Sequence, residues 1–183
     1  MRMKKGSLLL PQKVSTDHIS QQPNSYEGES LLHLINSIQR EIKLARLSDE
    51  SLPQKIWLKQ QFSIGVNDVT RVLERMPPVS GSSQNATSRN AKAFPLQLQA
   101  ILLATDCNPR WLTKHLPSLA SSREVPVIFV KDKKGGSFKL GEMVNLKTAM
   151  AIGVKARGNA INQLIAEILG DNPVTNGALE SER

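Results

Sequence analysis

Cysteine is almost missing from this chain: Cys107 is the only one in 183 residues. A lone thiol excludes an internal disulfide framework and fits a reducing intracellular compartment. Aromatic residues make up only 4% of the chain, so a core must be built from Leu, Ile, Val and Ala. The three histidines, His18, His33 and His115, are scattered. They form no cluster with metal-ligand spacing, and no metal or other cofactor is expected. No Ser-His-Asp or Cys-His set presents itself, so no catalytic residue is expected either. No apolar run has the length of a membrane helix. Leu8-Leu9-Leu10, behind the basic Arg2, Lys4 and Lys5, is too short for a signal-peptide core. Cytoplasm or nucleus is left as the expected compartment. Acidic residues are in short supply as well, 16 against 24 Lys/Arg, for a formal net charge of +8. The excess is concentrated: residues 106–170 carry ten Lys/Arg against five Asp/Glu, whereas the last thirteen residues are net acidic. A basic domain with a polar tail fits a polyanion-binding protein.

Residues 1–28 are polar, without sustained periodicity, and read as a flexible tail or an arm that orders on a partner. Leu31, Leu34, Ile35, Ile38, Ile42 and Ala45 then recur at helical spacing. They predict an amphipathic helical extension over residues 29–50, which either packs on the domain or docks another subunit. The main domain is expected over 51–170. Its first helix is expected over Ser51 to Phe62, with Ser51 as cap and Pro53 in the first turn. A polar insertion at 77–95, rich in Ser, Asn, Ala and Gly, reads as a long loop or disordered segment, with Arg89 and Lys92 as its cations. Leu98 to Thr105 and Val125 to Val130 read as buried strands, and Thr148 to Val154 as a third. Asn108 and Pro109 are expected to open a helix carrying Trp111, Leu112, His115, Leu116 and Leu119. Phe138 to Val144 and Asn159 to Leu169 complete the helices, and 171–183 form a second flexible tail. Lys133-Lys134-Gly135-Gly136-Ser137 lacks the residue order of a phosphate-binding loop. Strands alternating with helices predict an α/β fold, a three-layer α/β/α sandwich around a small mixed sheet.

The most informative segment is Gly65-Val66-Asn67-Asp68-Val69-Thr70-Arg71-Val72-Leu73-Glu74-Arg75. A glycine turn runs straight into a helix whose apolar residues Val69, Val72 and Leu73 share one face. Asn67, Asp68 and Arg71 stand at i, i+1 and i+4 on the first turn, where free N–H groups and the positive dipole end lie. An amide, a carboxylate and a fork donor held there can bind a phosphate backbone and hydrogen-bond base edges together. Ordinary capping is the alternative, with Asn67 as N-cap, Asp68 offsetting the dipole and Arg71 solvated.

This segment closely resembles the signature helix of the kink-turn-binding family of ribosomal protein L-seven-Ae. Within that family it looks most like the subunit of eukaryotic nuclear ribonuclease P and ribonuclease MRP, which has Arg at the position of Arg71. Lys59-Gln60-Gln61-Phe62-Ser63-Ile64 resembles the approach to the helix in the same subunit. Asp68 departs from the family's Glu and is one methylene shorter. The resemblance covers roughly residues 55–170 and implies the same sandwich fold. It also implies that Asn145-Leu146-Lys147-Thr148 lies across from the signature helix, on the bulged nucleotides. Leu146 would then touch an extruded base, Lys147 a phosphate and Thr148 a backbone or sugar oxygen. The alternative for this loop is a helix-to-strand turn with an exposed lysine.

The RNA-binding residues expected from the resemblance are therefore Gly65, Asn67, Asp68, Arg71, Asn145, Leu146, Lys147 and Thr148. Lys139, Lys155 and Arg157 are further candidate phosphate contacts. The function implied is that of a non-catalytic subunit of nuclear ribonuclease P and/or MRP, in the nucleus and nucleolus. It would bind a kink-turn or bulged stem of the complex's RNA and support 5′ processing of precursor tRNA. Other protein subunits would be partners, with residues 29–50 as one contact, and no membrane is involved. A box C/D or ribosomal subunit, or a protein adaptor on the same fold, stays open beside it.

Overall fold

A computed structural model of the chain describes residues 24–78, 96–133 and 135–170. Residues 1–23 of the expected 1–28 tail, the C-terminal tail and most of the 77–95 insertion lie outside the described residues. Five strands form one mixed sheet in the order β1-β4-β3-β5-β2. β3 (Leu98–Ala104) and β4 (Val127–Lys131) are the two expected buried strands, and they pair in parallel. β5 (Ala151–Lys155) runs antiparallel to β3. It begins three residues later than the apolar pattern suggests, because the preceding residues form a structured loop.

Two short strands complete the edges. β1 (Ser25–Glu27) pairs in parallel with β4, so ordered structure begins within the stretch read as a tail. β2 (Phe62–Ile64) pairs antiparallel with β5. The expected continuous helix from Ser51 to Phe62 is accordingly shorter: α2 spans Gln54–Gln61, with Pro53 at its N-cap position.

Helices cover both faces of the sheet. On one side α1 (Gly28–Ser48) packs with α5 (Gly136–Met143) and α6 (Ala160–Gly170). Leu31, Leu34, Ile35, Ile38 and Ile42 of α1 are all buried there. They share a core with Trp57, Phe62, Leu102, Ile128, Val130, Ile152 and Ile165. The amphipathic stripe is thus spent on the domain itself. On the other side α3 (Val66–Arg75) and α4 (Leu116–Ser121) pack on Ile101, Leu103 and Ala151. The helix expected to run from Asn108 is broken: a 3-10 turn at Arg110–Leu112 precedes α4. Side-chain alternation along β3 and β4 distributes residues between the two cores, which is why both strands read as continuous apolar runs. The expected α/β/α sandwich with a mixed sheet is the architecture observed.

Among the described residues every buried side-chain nitrogen and oxygen has a hydrogen-bond partner. Asn162 donates to Gln99 Oε1 (2.6 Å) and to the Lys155 carbonyl (2.8 Å). Its Oδ1 accepts from the backbone N–H groups of Arg157 and Asn159. Asn159 Oδ1 accepts in turn from the N–H of Asn162 at 3.1 Å, a reciprocal cap that opens α6.

Candidate nucleic-acid interface

α3 starts from backbone geometry. Gly65 has φ +96°, a conformation that side-chain-bearing residues rarely adopt, and its N–H donates to the Ala151 carbonyl at 2.8 Å. A Cβ at Gly65 would meet no atom within 4 Å, so the glycine is needed for its φ and the space beside it is open. Gly65 is itself the N-cap, which places Asn67 second inside the helix. The capping reading of Asn67 is therefore corrected. Its side chain is exposed and has no hydrogen-bond partner among the described residues. Arg71 Nη1 lies 3.4 Å from Asp68 Oδ1, with the side chains 60% and 54% exposed. A pair so wet is easily exchanged for another partner.

The second element is built at the end of α5. Asn145 has φ +57° and follows the C-cap residue Val144. The Asn145 N–H donates to Glu142 O (3.1 Å) and the Leu146 N–H to Gly141 O (2.8 Å). This pair of bonds is a Schellman motif, and Asn145 is one of the few residue types that accept its left-handed position. Gly141 makes the turn possible: a Cβ there would sit 2.5 Å from Thr148 Cα and 2.8 Å from Leu146 O. The loop is therefore a fixed shelf, and Leu146 stands 48% exposed on it.

The two elements face one groove of about 730 Å³, lined by Asp68 and Arg71 from α3 and by Asn145 and Leu146 from the loop. Lys147 and Thr148 are exposed on the same loop, while Asn67 and Gly65 stand at the helix start outside the lining. Lys55, Lys59 and Arg75 also line the groove, and sequence reasoning missed all three. The available signal was their spacing. Lys55 and Lys59 are i, i+4 on α2, and Arg71 and Arg75 are i, i+4 on α3, so each pair shares a helix face.

Three expected phosphate contacts have partners within the chain, although Lys155 also lines the groove. Lys155 Nζ donates to the Lys59 carbonyl, and Arg157 Nε to the Gln60 carbonyl at 3.1 Å. Both cations thus close the C-terminal end of α2, where the helix dipole is negative. Burial pushes the Lys155 ammonium below its ordinary pKa, repulsion from Arg157 adds to this, and attraction to Asp68 opposes it. Lys139 lies 2.6 Å from Asp132. His115 is exposed, and its Nε2 lies 2.8 Å from Thr70 Oγ1, a structural tie between α4 and α3. Among the described residues no group of three His, Cys, Asp or Glu side chains is placed to hold a metal ion.

Comparisons with known proteins bear on the fold that carries these elements. Residues 91–163 match the sequence model of the family described as "Ribosomal protein L7Ae/L30e/S12e/Gadd45 family". The matched stretch holds β3, β4, β5 and the 145–148 loop, and α3 lies before it. The fold is similar to that of a 15.5kD RNA binding protein from Giardia lamblia, with TM-score 0.52 and 19% identity. That similarity covers 80% of this chain and 91% of the Giardia protein. A protein of unknown function from Bacillus halodurans is 17% identical over 79% of this chain and 100% of its own, with TM-score 0.44.

Proposed function

We propose that this protein is a non-catalytic RNA-binding subunit of nuclear ribonuclease P and/or MRP, active in the nucleus and nucleolus. It grips a kink-turn or similarly bulged stem of the complex's RNA and supports 5′ processing of precursor tRNA. The observation that carries the reading is the groove between the start of α3 and the 145–148 shelf. It combines an exposed apolar residue, Leu146, with Arg71, Arg75, Lys55 and Lys59. Sequence-specific RNA recognition targets bulges whose bases are splayed out, and such a site needs both an apolar seat and cations for phosphate.

In this reading Asn67 and Asp68 read base edges beside the bulge, and Arg71 holds a base edge or phosphate. Leu146 and Thr148 seat extruded nucleotides, and Lys147 meets phosphate. Support comes from the match over 91–163, the fold of the Giardia RNA-binding protein, and the likeness of the α3 segment to the ribonuclease P subunit's signature helix. The outer side of α1, with Leu32, Leu44 and Leu47 exposed, is left for protein subunits of the same complex.

The test is to purify the tagged protein from its native cells and sequence the RNA that accompanies it. Enrichment of ribonuclease P or MRP RNA is expected. Enrichment of box C/D or ribosomal RNA would overturn the choice of complex while keeping the groove. Absence of any enriched RNA would overturn the RNA reading in favour of a protein adaptor.

A further inference from the structure

The chain has two tryptophans with opposite fates. Trp57 is a core residue at 2% exposure, whereas Trp111 stands 70% exposed. An indole left in water gives up the largest apolar burial available to any side chain, so its position calls for a reason. Trp111 sits on the 3-10 turn, whose neighbours are anchored. The Leu112 N–H donates to Pro109 O, the Thr113 N–H to Arg110 O, and the Cys107 thiol to Ala104 O. Cys107, Thr113 and Leu116 are buried beneath the turn. The indole is thus carried on a supported turn.

Beside Trp111 lies a recess of about 550 Å³, bordered by Arg110, Lys114, Pro117 and Phe129. Among the described residues no carboxylate lines it. An aromatic face with two cations and no acid matches the chemistry of a nucleotide, base on ring and phosphate on cation. It does not match an acidic or purely apolar peptide, which would leave either the indole or the cations unused. The recess is joined to α3, since His115, four residues after Trp111, bonds Thr70, the neighbour of Arg71.

We propose that Trp111, Arg110 and Lys114 form a second RNA contact, which stacks an unpaired nucleotide flanking the bulged stem held in the groove. This inference rests on the RNA reading of the groove and adds a single-stranded segment to its substrate. Stacking on an aromatic face tolerates any base, so the contact contributes affinity and reach without sequence preference.

The experiment compares two RNAs, a blunt bulged stem and the same stem with a single-stranded uridine tail, together with oligouridine alone. Tryptophan fluorescence and affinity are read for the wild-type chain, Trp111→Ala and Trp111→Phe. The wild-type chain is expected to prefer the tailed RNA, with its fluorescence quenched. Trp111→Ala should cut the preference for tailed over blunt RNA by roughly tenfold. Trp111→Phe should retain most of the preference but lose the quenching signal, because the ring still stacks. Equal preference in wild type and Trp111→Ala would overturn the proposal, as would unchanged fluorescence at saturation. Loss of a protein subunit by Trp111→Ala with RNA preference intact would overturn it in favour of a protein contact. If blunt bulged RNA does not bind but oligouridine quenches Trp111, the contact stands and the groove reading falls.

Discussion

Residue 141 has no room for a methyl group, and that fact governs the shelf on which Leu146 stands. The ideal Cβ position lies 2.5 Å and 2.6 Å from backbone atoms of Thr148. Backbone cannot give way as a flexible side chain does, so Gly141→Ala must displace the 145–148 turn or strain α5. A loss of about 1–3 kcal/mol is expected, the range for overpacking, checked by urea denaturation of the two chains. The same variant should bind bulged RNA more weakly, because Leu146 moves with the turn. The close approach that requires Gly141 is not legible in the sequence, since a contact between residues seven apart is invisible until the loop folds back. Asn145 was singled out as a candidate contact, and its left-handed φ gives it a structural duty at the same position. Asn67 shows the opposite case. Its residue type suggested a cap, but the cap is Gly65, and the amide is left free on the first turn.

At the scale of elements, the helices with long apolar stripes were legible and the edge strands were not. Leu31, Leu34, Ile35, Ile38 and Ile42 announce α1 by their spacing, and all five are buried. β1 and β2 are three residues each and owe their extended shape to pairing with β4 and β5 rather than to any local pattern. The two roles open to α1 can be separated by stability. Ile38→Ala should cost about 2–5 kcal/mol, as for a large-to-small change in a core. Leu47→Ala, 69% exposed, should stay within about 0.5 kcal/mol. Urea denaturation of both variants checks this, and a Leu47→Ala cost as large as that of Ile38→Ala would contradict the packing described. Lys155 and Arg157 mark a limit of charge counting. Both belong to the basic excess, yet each is bound to the carbonyl end of α2, a use that depends on where β5 meets that helix.

Taken as a whole molecule, the single thiol reports on opening. Burial, chiefly, with the neighbouring Asp106 carboxylate, raises the Cys107 pKa above its ordinary value. The folded chain therefore holds its thiol proton more tightly than the unfolded chain. The resulting contribution to stability is complete below the ordinary thiol pKa and is lost as pH rises towards the folded value. Alkylation of Cys107 at pH 8 should be slow in the native protein and fast in urea, as mass spectrometry can follow. The charge excess acts at this scale too. RNA affinity should fall steeply with salt, and Arg71→Ala should reduce the slope of log affinity against log salt by about one.

The most direct measurement is the affinity of the wild-type chain and of Asn67→Ala/Arg71→Ala for a bulged stem and for a continuous duplex of the same length, at about 0.15 M salt. The expected result is tighter binding of the bulged stem by wild type and loss of that preference, by tenfold or more, in the double variant. Unchanged affinity of the double variant for the bulged stem would contradict the assignment of the groove.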